Sequence, residues 1–384
     1  MGTTTDALVI GAGAIGASAA FHLAHRGLSV VVVEQFDGPA EGSTGRSFAS
    51  VRGQWADPLN IAVSWRSIEA FRDFPAEHGI DVGYVASGYL FLHSESTWPA
   101  ALESVELQRS FGVPVEVIDR DAAQELTPFL AERIAGTTWG PADGAVDPHG
   151  VTSAYLTLAR RHGAEVRFRR PVTAVRPALA NGGGLVVEAG GEAIHAGVVV
   201  NAAGGWSGDV ASLAGVEVPV HHSRRSIFAG AVGAVPGRRP MTIDMATGVF
   251  LRSEGERLLF GGPPSPRHLG YSTAVDWPWM EEILALGVEG FPWLAELPLD
   301  RAACWGGTYE MSPDHQGILG RHPEVPGLYN ACGFSGHGLM QSPVLGELVA
   351  EEVVDGVVTS LDVSPLRIER FADPGRDSSI AMTF

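Results

Sequence analysis

The feature that most restricts this chain is a run of six residues near its start. A short apolar stretch, Asp6 to Ile10, ends in Gly11-Ala12-Gly13-Ala14-Ile15-Gly16; helix-forming residues continue to about Arg26, Gly27 stops them, and a β-branched run covers Val30 to Val33. The order is strand, glycine turn, helix, strand. Gly11 permits the tight turn, Gly13 lets the backbone approach a pyrophosphate, and Gly16 lets the helix pack closely on the sheet, while free amides at the helix start face the phosphates. Glu34 ends the second strand, where a carboxylate accepts hydrogen bonds from a ribose and disfavours a ribose phosphate. A dinucleotide-binding α/β unit is therefore expected, and the glycines by themselves do not separate FAD from NAD. A second glycine loop, Gly42-Ser43-Thr44-Gly45-Arg46-Ser47, follows at once. It reads either as a surface turn or as a further donor-rich loop, which suits the longer reach of FAD.

Composition removes several competing chemistries. All 26 basic residues among the 384 are arginine. Without a lysine there is no Schiff base for pyridoxal phosphate, no P-loop phosphate lysine and no kinase lysine, and arginine does not act as an amine nucleophile. The formal charge of −18 repels nucleic-acid phosphates and anionic lipid heads, so neither is an expected partner. Arg167, Arg169 and Arg170 form the one candidate basic patch. Two cysteines, Cys304 and Cys332, are too few for a disulfide framework or a cysteine-rich zinc site, and His221-His222 lacks spaced companions, so no metal site is expected. The apolar run from Ala7 to Ala24 is broken by glycines and has no basic residues before it, which argues against a signal core or a membrane span. A cytoplasmic protein is the expectation.

Four separated segments carry a resemblance to a known family. They are the amino-terminal fingerprint with Glu34 and the second glycine loop; Trp139-Gly140-Pro141-Ala142-Asp143-Gly144-Ala145-Val146-Asp147-Pro148; Val198 through Asn201-Ala202-Ala203-Gly204-Gly205-Trp206; and the stretch from Trp305 through Ser312-Pro313-Asp314 and Gly320 to Gly333-Phe334-Ser335-Gly336-His337-Gly338. In order and spacing the chain resembles the D-amino-acid-oxidase superfamily of FAD enzymes, nearest its sarcosine oxidase and glycine oxidase branch. The fourth segment also has its own physical reading: Ser342-Pro343 looks like a helix start, followed by the apolar stripe Leu345, Leu348, Val349 and Val353. A helix N-terminus facing the glycine loop would stabilise negative charge on a flavin, or would simply be a close-packed helix entry.

The resemblance implies a Rossmann-type FAD-binding domain made of residues 1–81, 139–215 and 304–384, interleaved with a second α+β substrate-binding domain, 82–138 and 216–303, built on an antiparallel sheet. Alternating runs such as Gly88 to Leu92 and Val249 to Phe260 fit that sheet. The implied FAD contacts are Gly11, Gly13, Ala14, Ile15, Gly16, Glu34 and Gln35, then Ser43, Thr44, Arg46 and Ser47. Val172, Ala202, Ala203 and Gly204 follow, with Gly333, Gly336, His337, Gly338, Leu339 and Met340 closing the set. Cys304 stands three residues before Gly307, the position matching the flavin-linked cysteine of sarcosine oxidases, so the FAD is expected to be noncovalent.

For the substrate site the resemblance implies Arg52, Tyr309 and His337. Arg52 matches the arginine that holds a substrate carboxylate in sarcosine oxidases, its alternative being a structural arginine. Tyr309 matches a substrate-site tyrosine of sarcosine oxidases and stands where glycine oxidase has its carboxylate-binding arginine. Met340 replaces the second carboxylate partner, a lysine, and both departures point to a larger or less polar secondary amine than glycine. His337 is either a polar group that titrates in the working range or a buried histidine satisfied by a carbonyl. The implied activity is oxidation of the C–N bond of an amine or amino acid by hydride transfer to flavin N5, giving an imine that water hydrolyses. The acceptor is oxygen or another oxidant. The absence of the lysine that assists oxygen in sarcosine oxidases favours the latter. A 2-hydroxy acid dehydrogenase and a noncatalytic flavoprotein subunit are the alternatives.

Overall fold

A computed structural model describes residues 3–178 and 183–372. The polar tail after Pro374, expected to fray, lies outside the described residues.

The amino-terminal reading maps onto the first of two eight-stranded sheets. Thr3–Ile10 pairs in parallel with Val30–Val33 on one side and Glu192–Asn201 on the other, and Glu165–Arg167 and Leu328–Cys332 extend the parallel set outward. Ile318–Arg321 adds an antiparallel edge, and Val172–Pro177 with Leu185–Ala189 forms an antiparallel flap on Glu192–Asn201. Strands buried on both faces read as continuous apolar runs, and their alternate residues feed two cores. Ala7, Val9, Val30, Val32 and Val200 face the helices, whereas Leu8, Ile10, Val31, Val33 and Val199 face the flap and Val210.

On the helical face, Ala14–His25 and Gly338–Asp355 cross closely. A Cβ at Gly346 would collide with the Ser18 hydroxyl, so glycine there sets the approach of the two helices. The second of these helices starts five residues earlier than the Ser342-Pro343 pair suggests. His337 is its N-cap and Pro343 lies inside it. A proline can sit there because the early turn is anchored by tertiary contacts: Leu339 and Met340 are buried, and Gln341 donates to Asn60 and to Ser64 at 2.9 and 3.1 Å.

The second sheet runs in the order Trp305–Met311, His221–Ala229, Arg257–Gly261, Phe250–Glu254, Met241–Asp244, Tyr89–His93, Gly136–Gly140, Glu116–Ile118. All its pairs are antiparallel except Met241–Asp244 with Tyr89–His93. Trp305–Met311, expected with the first unit on the basis of a boundary at residue 304, instead pairs with His221–Ala229 along its whole length. Likewise Gly136–Gly140 joins Tyr89–His93 across the expected boundary at residue 139. In both cases the ladder is satisfied only by a strand from a distant stretch, and local pattern does not encode that pairing. No helix among the described residues is long and apolar enough to cross a membrane.

Candidate active site

At the carboxyl ends of the parallel strands, where open α/β sheets place their ligands, a long groove is lined by Ile10, Val33, Ala202 and Ala331. Gly11 turns the chain there with φ +105°, and a Cβ on it would strike the Ala202 carbonyl. Gly16 lies just behind: a Cβ would meet the Gly11 carbonyl, so its role is packing, and it does not line the groove. The N-cap of the helix Ala14–His25 is Gly13, which offers no side chain to cap it, and the first turn carries no acidic residue, leaving its positive end without a compensating charge. Glu34 is buried and braces the loop, its Oε2 accepting the Ala12 N–H at 2.7 Å and Oε1 the Phe36 N–H at 3.0 Å. From the second glycine loop Thr44 Oγ1 accepts the Ala14 N–H at 3.2 Å. Ser43 and Ser47 line the same groove with buried hydroxyls that have no partner.

Gly13, Ala14, Ile15, Gln35, Arg46, Val172, Ala203, Gly204, Gly336, Gly338 and Leu339 also line it. The remaining expected contacts lie elsewhere. Gly333 turns the backbone with φ +73° against Val220 and Ser312, away from the groove. His337 and Met340 line the adjoining cavity instead. Cys304 lines neither, and its thiol donates to the Asp300 carbonyl and accepts the Ala229 N–H at 3.4 and 3.3 Å. Unpaired hydroxyls, a helix N-terminus without a compensating charge and backbone free of Cβ atoms together fit a pyrophosphate-bearing dinucleotide such as FAD.

A second cavity of about 170 Å³ shares Tyr309, Arg225, Gly336, Leu339, Phe48 and Phe250 with the groove. Arg52 enters it from the short strand Ser50–Val51, which pairs with Gly144–Ala145. Its side chain is 2% exposed, Nη2 has no partner, and the guanidinium lies 4.0 Å from the centre of the Trp55 ring. Burial works against its charge, with Tyr89 and Asp143 opposing that effect. Asp143 accepts the Gly53 N–H and the Gln54 amide at 2.7 and 2.9 Å, yet burial pushes its carboxyl up to about 7. Burial of the Asp143 carboxyl thus works against the charge that would offset Arg52.

Trp55 is also edge-on to the His337 ring at 4.5 Å, so one indole positions both groups. The His337 ring is only part-covered at the cavity wall, but closely surrounding protein atoms, together with Arg52 and His315, push its pKa down to about 3. Of the two roles expected for His337, this favours the buried, uncharged imidazole over one that titrates in the working range. Tyr309 packs against Gly336, where a Cβ would come within 2.6 Å of its ring.

Sequence reasoning missed Trp55, Tyr89, Arg225 and Glu310. Arg225 stands opposite Gly307 on the neighbouring strand, its guanidinium 4.7 Å from the Tyr309 ring centre. An arginine in the middle of a strand that ends in the apolar run Ile227-Phe228-Ala229 was the available signal. Glu310 is buried beside the groove with Oε2 unpartnered, and burial raises its pKa to about 7 against bonds from Gly333 and Phe334. His222 approaches Thr308 Oγ1 through Nδ1 at 3.1 Å, and among the described residues no group of three or more potential ligands could hold a metal ion.

The family model for FAD dependent oxidoreductases matches residues 6–352, and the chain belongs to that family. It is 29% identical to FAD-dependent oxidoreductase domain-containing protein 1 of Xenopus laevis over 95% of this chain and 82% of that protein. It is 26% identical to human mitochondrial sarcosine dehydrogenase over 92% of this chain but 40% of that longer enzyme. The crystal structure of L-proline dehydrogenase from P. horikoshii superimposes with a TM-score of 0.87 at 29% identity, covering 97% of this chain and 99% of that one. The protein is an FAD-dependent oxidoreductase.

Proposed function

We propose that this enzyme oxidises the C–N bond of a secondary or N-alkyl amine that carries a carboxylate, with noncovalent FAD in the groove. The observation that carries the reading is the buried, unpaired Arg52 guanidinium in a cavity that opens onto the cofactor groove. Bound FAD supplies the acceptor for a hydride from the carbon beside the nitrogen. Arg52 holds the carboxylate through a charge-assisted fork, and Trp55 keeps that fork in place. Tyr309 and the Gly336 backbone form the wall between substrate and cofactor. The neutral His337 accepts an N–H of the amine, which binds as the free base, so no obligate catalytic base is needed. The amine loses hydride and proton to become an imine, and water hydrolyses the imine to a carbonyl compound and a smaller amine. The names sarcosine dehydrogenase and L-proline dehydrogenase favour secondary amines and an acceptor other than oxygen. A cytoplasmic location is part of the same proposal.

The test is anaerobic stopped-flow reduction of the holoenzyme with panels of N-alkyl amino acids, plain amines and 2-hydroxy acids. Carboxylate-bearing secondary amines are expected to bleach the flavin, and reoxidation by a quinone is expected to outpace reoxidation by oxygen. Bleaching by hydroxy acids alone, or by nothing, would overturn the reading. Flavin that stays with acid-precipitated polypeptide would overturn the noncovalent assignment.

A further inference from the structure

Arg52 is not the only cation facing the substrate cavity. Arg225 reaches it from His221–Ala229, a strand of the second eight-stranded sheet, and Tyr309 is close to both arginines. Among the described residues neither guanidinium is salt-bridged to a carboxylate. Arg225 donates from Nη1 to Ser223 Oγ at 2.6 Å and to the Arg224 carbonyl at 2.9 Å, which fixes the head group. Among the described residues its Nε and Nη2 make no hydrogen bond. Asp314, the one carboxylate among the described residues that lines this cavity, is taken by Arg370 at 2.7 Å and 3.0 Å. A protein with a formal charge of −18 thus keeps two guanidiniums without a salt bridge on one cavity of about 170 Å³, with Arg52 offset only through space by Asp143. Burying such charges is costly unless a ligand neutralises them.

We propose that the substrate cavity binds a dianion: an amine carrying two carboxylates, one held by Arg52 and the other by Arg225. Resting on the amine reading above, the substrate class becomes a secondary amine with a carboxylate on each arm. The two forks approach from different parts of the chain, Arg52 from just after Ser50–Val51 and Arg225 from His221–Ala229, and the nitrogen lies between them. A substrate with one carboxylate would leave one guanidinium with no carboxylate to grip, so the second carboxylate is a specificity element. Both arginines act as positioning residues by gripping the substrate at its ends.

Binding tests this independently of turnover. Thiodiacetate, which replaces the amine by an inert sulfur, and methylthioacetate, its one-carboxylate counterpart, are titrated into the holoenzyme while the flavin absorption spectrum is followed. Thiodiacetate is expected to bind at least about 10-fold tighter, and about 100-fold for a bidentate pair. In Arg225→Met the ratio of the two dissociation constants is expected to fall towards 1, whatever the absolute loss, and Arg225→Lys is expected to give an intermediate ratio. A wild-type ratio near 1, or no spectral response to thiodiacetate, overturns the proposal whatever the variants do. So does an unchanged ratio in Arg225→Met accompanied by weaker FAD retention, which would assign Arg225 to the cofactor. If thiodiacetate keeps its advantage while no amine reduces the flavin, the amine reading falls and the two-anion cavity stands. If amines reduce the flavin and the ratio is near 1, the reverse holds.

Discussion

The cofactor groove is made largely of backbone, whereas the cavity beside it is made of side chains brought from separated segments. Along the groove the decisive atoms are main-chain amides, carbonyls and the absent Cβ atoms of Gly11 and Gly13, supported by short hydroxyls from the next loop. In the cavity the decisive atoms are the guanidiniums of Arg52 and Arg225, the rings of Trp55, Tyr309 and His337, and the buried carboxyl of Asp143. Backbone sites are local and all-or-none, because a single added methyl group collides with a neighbouring peptide. Side-chain sites are assembled and graded, and losing one member weakens a ligand without removing the site.

That contrast is broken most severely at Gly11. Gly11→Val places a β-branched side chain at φ +105° against the Ala202 carbonyl, a conformation that such residues do not adopt without strain. The purified variant is expected to lack flavin altogether, read as the ratio of flavin to protein absorbance. Stoichiometric yellow protein would show that the groove tolerates side-chain bulk and would collapse the distinction.

The graded side of the comparison is sharpened at Arg52. Arg52→Ala should raise the dissociation constant of a carboxylate-bearing substrate by roughly 10- to 1000-fold, about 1.5 to 4 kcal/mol for a charge-assisted pair, with FAD content retained. Loss of FAD together with substrate affinity would place Arg52 in the scaffold instead.

Glu310 borders both kinds of construction, and its effect is the smallest and depends on pH. Its folded pKa is raised to about 7 by burial. The protonated carboxyl is therefore stabilising below the unfolded value near 4.5, and this contribution is lost as pH rises through about 7. Glu310→Gln removes the titration. Relative to wild type, the variant should gain stability between about pH 4.5 and pH 7, on the order of 1 to 3 kcal/mol, measured as a difference in unfolding free energy or melting temperature across that window. A difference that stays constant with pH would mean that a partner already neutralises Glu310 in the groove.

How much of this was legible without coordinates follows from the same contrast. Gly11, Gly13, Glu34, Ser43, Thr44 and Ser47 were readable because a glycine turn, a helix start and a strand end are encoded within a few neighbouring residues. Gly16 and Gly333 carry the right residue type for a contact but serve packing and turning, and composition does not distinguish these uses. Arg52, Tyr309 and His337 were expected through the resemblance and line one cavity, yet the sequence left the charge state of His337 open between two readings. Its pKa depends on burial and on Arg52 and His315, which approach from other parts of the chain.

The sequence by itself determined the parallel sheet, its glycine turn, the carboxylate that braces the turn and the hydroxyl loop behind it, since each arises from short-range sterics and hydrogen bonding. Only the tertiary structure decided that Trp305–Met311 pairs with His221–Ala229, and this pairing sets Arg225 opposite Gly307 and over Tyr309. It likewise decided that Trp55 lies between Arg52 and His337. Strand partners and converging side chains are selected by burial shared between residues far apart in the chain, and that free energy exists only once those residues meet.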